Sequence, residues 1–190
     1  MSQAFDQEST REITALLRRS ADGEVDALGL AVERLYPELR RLAGWHSSSG
    51  AQSTLSATAV LHEAYLKIAA SDSSFENRAH FMSVASKAMR QIIIDYARQR
   101  SAQKRGGDLQ PVQLDDSNAA VDGQAVELLV LDEMLTELAR KDARAAQVFE
   151  CRFFGGLTDA ETAQGLNLTL RTVQRSWSEA KRVLAAAWES

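Results

Sequence analysis

GLTDAETAQGLNLTLRTVQRSWSEAKRVL, residues 156–184, has the pattern of two short helices joined by a turn. Thr158 and Glu161 stand three residues apart, the spacing at which a hydroxyl and a carboxylate cap the first turn of a helix reciprocally. Gly165 follows as the residue type that most easily ends a helix in the left-handed conformation, so residues 165–168 are predicted to form the turn. The stretch is therefore a candidate helix-turn-helix.

The second helix of this pair is predicted to begin after Thr169, which can cap it. Its apolar residues recur at intervals of four, three and four and form one buried stripe. The stripe consists of Val173, Trp177, Ala180 and Leu184. The opposite face carries Arg171, Thr172, Gln174, Arg175 and Ser178. These side chains can reach phosphates and base edges in a major groove, so DNA is the favoured partner, although a solvated helix of an ordinary bundle has the same pattern.

The composition fits a helical protein of one or two small cores. The chain has 190 residues, 45% of them hydrophobic, with two prolines and ten glycines. It has no run of eighteen apolar residues and no signal-peptide pattern, so a cytoplasmic location is expected. Cys151 is the single cysteine, which excludes an internal disulfide, and it is expected to be a helix residue without a redox role.

Charge is distributed unevenly along the chain, whose net charge is −4. Seven Lys or Arg stand against one acid between residues 78 and 105, whereas residues 106–137 contain eight acids and no Lys or Arg. The acidic stretch from Asp108 to Glu137 leaves two alternatives. It folds back on the basic helix and restrains the binding of DNA, or it is a solvated tether.

The predicted fold class is all-α, with two small helical domains. Residues 106–124, GGDLQPVQLDDSNAAVDGQ, combine turn-forming residues without helical periodicity and predict a linker. The predicted domains are residues 1–105 and 126–190, with the linker at 106–125. Helical spacing of apolar residues in the first domain predicts helices over residues 10–19, 25–43, 56–70 and 78–100. Pro37 predicts a kink or break in the second of these helices.

Three motifs in the order found here resemble the extracytoplasmic-function (ECF) sigma factors of bacteria. They are LSATAVLHEAYLK (55–67), FENRAHFMSVASKAMRQIIIDYARQR (75–100) and VFECRFFGGLTDAETAQGLNLTLRTVQRSWSEAKRVL (148–184). The resemblance covers most of the chain. It implies a factor that binds core RNA polymerase, at the beta-prime clamp helices and the beta flap, and directs promoter-specific transcription initiation. It also implies a protein that is not an enzyme and has no cofactor.

The resemblance assigns three groups of site residues. The polymerase-binding residues would be Leu61, His62, Glu63, Tyr65 and Leu66, with His62 in place of the family's usual Gln. The minus-ten residues would be Phe75, Asn77, Lys87, Arg90, Gln91 and Arg98, although Phe75 also fits a core anchor. The minus-thirty-five residues would be Thr169, Arg171, Thr172, Gln174, Arg175 and Ser178.

No metal or catalytic site is expected. HEAYL, residues 62–66, is not a zinc-protease HExxH motif, because Leu66 stands where the second histidine is needed. The sequence has no nucleophile elbow and no Gly-rich phosphate loop.

One departure from the family pattern suggests a modification site. Family members commonly carry an acidic cluster before the polymerase-contacting helix, where this chain has Ser56-Ala57-Thr58-Ala59. A phosphate there would restore about −1.5 to −2 charges at a helix N-terminus. Activation by a Ser/Thr kinase is therefore a hypothesis, with Thr58 the first candidate and Ser56 the second. The alternative is that these hydroxyls merely cap the helix.

Two other kinds of control or function stay open at this point. An anti-sigma factor, usual in the family, would occlude the same surfaces. A protein of another class, a stand-alone dimeric helix-turn-helix regulator, would bind an operator without polymerase, with its recognition helices about 34 Å apart.

Overall fold

The computed structural model describes residues 7–47, 56–71, 74–106 and 116–188. These ranges contain eight helices and no strand, which confirms the predicted all-α fold class. The helices are α1 (Gln7–Ala21), α2 (Ala27–Ser47), α3 (Ala57–Ala69), α4 (Arg78–Gly106), α5 (Asp116–Lys141), α6 (Ala143–Phe153), α7 (Asp159–Gly165) and α8 (Leu170–Trp188).

Helices α1 to α4 correspond to the four helices predicted for the first half of the chain. The predicted break at Pro37 is absent, because α2 continues through this residue. Proline removes one hydrogen bond of the helix. Leu35 and Leu39, one on each side of Pro37, are both buried in the core and hold the helix on either side of the missing bond.

Helix α5 begins earlier than the sequence predicts. Residues 116–125, assigned to the linker, form its first turns, whereas residues 107–115 lie outside the described part of the chain. Turn-forming residue types dominate this stretch and hide the helix start, although Asp116 and Ser117 are residue types that favour a helix N-terminus. The division of the chain into two domains stays a prediction.

The buried apolar residues form two clusters. The first is built mainly from α1 to α4, with Phe81, Met82 and Met89 of α4 among its most buried members. The second is built from α5, α6 and α8, and its members are Leu135, Leu138, Ala145, Ala146, Phe149, Phe154, Ala180 and Leu184.

The two halves of the chain pack directly against each other. Helix α4 contacts α5, α6 and α7. Cys151 of α6 and Leu157, which follows that helix, belong to the first cluster although both lie in the C-terminal half. Burial raises the pKa of the Cys151 thiol to about 12, and the neighbouring Glu150 carboxylate adds to this effect. The thiol is therefore protonated at neutral pH.

The helix-turn-helix has the predicted caps. The backbone N–H of Glu161 donates to the Thr158 hydroxyl (3.2 Å), and the backbone N–H of Thr158 donates to Glu161 Oε2 (2.9 Å). Together these bonds form the capping box at the start of α7. At the start of α8, the backbone N–H of Thr172 donates to the Thr169 hydroxyl (3.2 Å).

The turn between these helices differs from the prediction in one respect. Gly165 is the last residue of α7 and does not adopt the left-handed conformation, so that prediction is wrong. Asn167 has the positive φ, 52°, and Asn tolerates this conformation better than most residues. Gly165 instead allows close approach of α4, because a Cβ at this position would lie 2.6 Å from the carbonyl oxygen of Ala79.

Candidate nucleic-acid and polymerase interfaces

The polar face of α8 is displayed to solvent. Its apolar stripe points inward, with Val173 and Ala180 fully buried. The predicted minus-thirty-five residues on the other side are exposed except Thr172, which is half-buried and whose hydroxyl lies 2.7 Å from that of Thr169. The exposed ones are Thr169, Arg171, Gln174, Arg175 and Ser178.

A concave surface lies along this face, between α8 and the start of α6, and encloses a volume of about 740 Å³. Arg171 and Arg175 line it together with two arginines that are not among the residues predicted from the sequence, Arg144 and Arg182. Arg144 is on α6, and its place beside α8 follows from tertiary packing. The concave surface thus combines four guanidinium groups, which suits a phosphate backbone.

Two acids moderate the charge of this surface. Asp142 caps α6, accepting a hydrogen bond from the Ala145 N–H at 2.9 Å. Glu179 pairs with Arg182 (2.6 Å), and this hydrogen bond lowers the pKa of the Glu179 carboxyl. These two carboxyl groups lie among the four arginines and offset part of their positive charge.

Trp177 of α8 contacts α6 on the side opposite the polar face. Its ring lies 5.4 Å from that of Phe149 on α6, and the Arg152 guanidinium stands 4.7 Å from its centre. Such contacts stabilise a partly buried aromatic side chain beyond the apolar area that it buries. They fix the polar face of α8 relative to α6.

A second concave surface, the α2–α3 groove, lies between these two helices and encloses a volume of about 450 Å³. Three predicted polymerase-binding residues line it: His62, Tyr65 and Leu61, of which Leu61 is buried. Glu63 and Leu66 are exposed beside it on α3, Leu66 with 51% of its surface accessible. An exposed leucine next to an apolar groove is typical of a surface that binds another protein.

The N-terminus of α3 borders the same groove. The Ser56 hydroxyl accepts a hydrogen bond from the Ala59 N–H (3.1 Å) and is the N-cap of the helix. Thr58 is exposed and lines the groove. The first turn of α3 contains no acidic residue. Residues 53–55 of the same hydroxyl-rich tract lie outside the described ranges.

Two of the predicted minus-ten residues have structural roles. Phe75 is 3% exposed, and its ring packs edge-on against that of Phe81 (5.1 Å), so it is a core anchor here. Asn77 precedes α4, and its Oδ1 accepts a hydrogen bond from the His80 N–H (2.9 Å). In this conformation Phe75 is not accessible to a DNA base.

The remaining minus-ten residues lie on α4, where they divide into two pairs. Lys87 and Gln91 are exposed. Arg90 and Arg98 are engaged by acids of the C-terminal half. Arg90 Nη2 lies 2.6 Å from Asp132, and its other terminal nitrogen pairs with Glu150. Arg98 Nη2 lies 2.8 Å from the second oxygen of Asp132.

Arg78, at the start of α4, is more buried than Arg90 and Arg98, with 4% of its side chain exposed. It donates to both oxygens of Glu38 (2.6 and 2.8 Å) and to Glu161 (2.8 Å). Burial lowers the pKa of Arg78, but the two carboxylates outweigh this effect and leave it above its usual value. Glu161 therefore both caps α7 and binds α4.

No metal site or membrane span is found in the described ranges. They hold no group of three or more His, Cys, Asp or Glu side chains placed to bind a metal ion. Nor do they include a helix that is long and apolar enough to cross a bilayer.

Comparison with protein families identifies the class of this chain. The family model for ECF sigma factors matches residues 10–190. The chain therefore belongs to the ECF sigma factor family. It is a sigma factor that acts in transcription initiation, with core RNA polymerase and promoter DNA as its partners. Neither the curated proteins nor the solved structures include a significant match.

Proposed function

We propose that this sigma factor binds core polymerase through the groove between α2 and α3 and selects promoters through two surfaces. The polar face of α8 would read the minus-thirty-five element in a major groove. Helix α4 would contact the minus-ten element through Lys87, Arg90, Gln91 and Arg98. The family match over residues 10–190 is the observation that carries this proposal.

The structure supports each assignment in a different way. Helix α8 displays its cationic face, as a helix that enters a major groove must. The α2–α3 groove is apolar at its centre and bordered by exposed Leu66, which fits the beta-prime clamp helices as a partner. Helix α4 has the basic charge that contact with phosphates requires, and affinity based on such contacts falls with salt.

The first test is transcription by purified bacterial core polymerase on genomic promoter fragments. We expect specific transcripts when the protein is present and none when it is omitted. The protein without polymerase should bind the same duplex fragments weakly. Tight operator binding by the protein alone, combined with no initiation, would contradict the proposal and favour a dimeric helix-turn-helix regulator.

We also propose that phosphorylation of Thr58 strengthens polymerase binding. Thr58 is exposed on the groove, whereas the Ser56 hydroxyl is already engaged in capping α3. A phosphate on Thr58 would sit within the first turn of α3, where the helix dipole stabilises negative charge. It would also place about two negative charges on the rim of the groove, where the family has its acidic cluster.

The substitution Thr58→Glu tests this mechanism. We expect its affinity for core polymerase to rise about threefold to tenfold, because one carboxylate supplies part of the charge of a phosphate. Affinity is measured by competition for fluorescently labelled core enzyme.

Ala59→Glu is the matched control. Ala59 is exposed on the same helix turn but does not line the groove. A glutamate at position 59 therefore adds the same charge to the N-terminus of α3, away from the proposed contact with polymerase. An equal gain in affinity for core polymerase in both variants would show that the charge acts by stabilising α3 and not through a contact in the groove. No gain in Thr58→Glu, or in protein phosphorylated at Thr58, would refute the switch.

A further inference from the structure

We infer that His62 is the residue of this chain that binds and positions a phosphate on Thr58. The inference rests on the proposed phosphorylation of Thr58 and adds the side chain that would hold the phosphate. Thr58 and His62 stand four positions apart on α3, and both are exposed and line the α2–α3 groove. The family's usual Gln at position 62 has no charge, so this pair depends on the histidine.

The spacing of four residues puts the two side chains within reach of each other. Residues at i and i+4 of an α-helix are neighbours on one face, with Cβ atoms about 5–6 Å apart. Helix side chains also lean towards the N-terminus, so the imidazole of His62 is directed to the turn that contains Thr58. A phosphoryl group adds strong acceptor oxygens to the threonine, and an imidazolium donates from its ring nitrogens. A charge-assisted hydrogen bond between them needs no change in the helix backbone.

Among the described residues that line the groove, His62 alone can carry a positive charge. The other titratable side chains of this lining are Glu33 and Tyr36 of α2 and Tyr65 of α3. A carboxylate at Glu33 repels a phosphate from the α2 wall. The His62 imidazole has no hydrogen-bond or ion-pair partner within the described ranges, so it is available to a new one. A phosphate on Thr58 is therefore attracted along α3 to His62.

The other charged groups around α3 lie outside the groove. Glu63, which follows His62, is exposed but does not line it. Lys67, further along α3, pairs with Asp95 of α4 at 3.8 Å, and neither of these two residues lines the groove. The residues of α4 that pack near Leu61 and Tyr65 are apolar: Phe81, Ala85 and Met89. The cation nearest to a phosphate on Thr58 would thus come from its own helix.

The pair would make the effect of the phosphate depend on pH. A histidine side chain changes its charge between about pH 5 and 8, and the last proton of a threonine phosphate leaves near pH 6. At about pH 6.5 an imidazolium faces a phosphate dianion, and the phosphate is held on the groove side of α3. At about pH 8 the imidazole is neutral and holds the phosphate less firmly. A phosphate fixed in place before polymerase binds lowers the entropy cost of binding.

Two substitutions of His62 separate its charge from its other properties. The full chain is prepared with phosphothreonine incorporated at position 58 during translation, in the wild type, in His62→Gln and in His62→Lys. Glutamine keeps a hydrogen-bond donor but has no charge, whereas lysine stays charged at every pH used. His62 is exposed, so neither substitution should move the midpoint of thermal unfolding, which circular dichroism checks.

The pair itself is measured without polymerase, by phosphorus NMR over a pH titration. We expect the phosphate of the wild type and of His62→Lys to titrate about half a pH unit lower than that of His62→Gln, because a nearby cation favours the dianion. The helix N-terminus acts on all three alike. Phosphoserine at position 56 is the matched control, because it is six positions from His62 and should titrate equally with and without His62→Gln. Equal midpoints for phosphothreonine 58 in the wild type and His62→Gln would overturn the inference.

Positioning is measured as the gain in affinity for core polymerase on phosphorylation, a ratio that cancels any direct contact of His62 with polymerase. At about pH 6.5 we expect a gain of about tenfold in the wild type and about threefold in His62→Gln, the difference expected for one side chain fixed before binding. At about pH 8 the wild-type gain should fall towards that of His62→Gln, whereas His62→Lys keeps its gain. Equal gains in all three would overturn the positioning role. A lowered phosphate midpoint without any gain would confirm the pair and refute the proposed switch, so the two failures are distinguishable.

Discussion

Replacing Arg78 by alanine is expected to lower the free energy of unfolding by about 3–5 kcal/mol, the usual cost of removing one partner from a buried ion pair. The guanidinium joins Glu38 on α2 to Glu161 on α7, and its loss leaves both carboxylates without this partner. For a chain of this length, the midpoint of thermal unfolding should fall by about 10 °C. Circular dichroism during heating measures this change.

Arg140→Ala is the control for Arg78→Ala. Arg140 pairs with Glu137 at 3.0 Å, but its side chain is 74% exposed. Exposed pairs contribute about 0–1 kcal/mol, so the midpoint should move little. Equal shifts in the two variants would show that the Arg78 network does not hold the fold together.

The same network predicts a loss of stability in acid. Hydrogen bonds from Thr158 and Arg78 outweigh burial and keep the pKa of the Glu161 carboxyl below its usual value. A lowered pKa in the folded state stabilises the fold above the unfolded pKa, near 4.5, and this contribution is lost as the pH falls through the lower folded value. Arg78 stays charged over this range, so acid acts through the Glu161 carboxylate.

The helix-turn-helix could be predicted from sequence because its signals are local. The Thr158–Glu161 spacing encodes the capping box, and the positions of Val173, Ala180 and Leu184 encode the buried stripe of α8. Each signal involves residues within a few turns of one another. The caps and the inward-facing stripe are therefore present as predicted.

The contact between the halves could not be predicted in detail, because it depends on long-range packing. The uneven charge left open whether the acidic stretch folds back on the basic helix or is a solvated tether. In the described part of this stretch, Asp132 pairs with Arg90 and Arg98. Nothing local marks Glu150 as a partner of Arg90, or Gly165 as a contact of α4. Glycine is the residue type that favours a left-handed helix end, but at position 165 the absence of a Cβ instead allows α7 to pack closely on α4.

The site residues follow the same division between local and long-range information. The α8 face is exposed because helical periodicity alone separates it from the core. Arg144 joins this face through the packing of α6 on α8, which no sequence spacing encodes. Phe75 lies in the core because its ring contacts Phe81, so its polar neighbours gave no indication of whether it would be exposed.

The double substitution Arg171→Ala and Arg175→Ala is expected to reduce polymerase-dependent initiation about a hundredfold at promoters that need the minus-thirty-five element. Both side chains are exposed on the face of α8 that would enter the major groove. A base or phosphate contact of this kind contributes about 1–3 kcal/mol, and each 1.4 kcal/mol is a factor of ten in binding. Run-off transcription at limiting factor concentration measures the loss.

The location of the two arginines makes a specific effect separable from misfolding. Neither residue belongs to a buried cluster, so the unfolding midpoint of the double variant should equal that of the wild type. Binding to core polymerase should also be unchanged, because the α2–α3 groove lies in the other half of the chain. Arg140→Ala removes an exposed arginine of α5 that lines neither the α8 concave surface nor the α2–α3 groove. This variant should initiate transcription normally. Full activity of the double variant on such promoters would show that α8 does not read them, even if the chain still acts with polymerase.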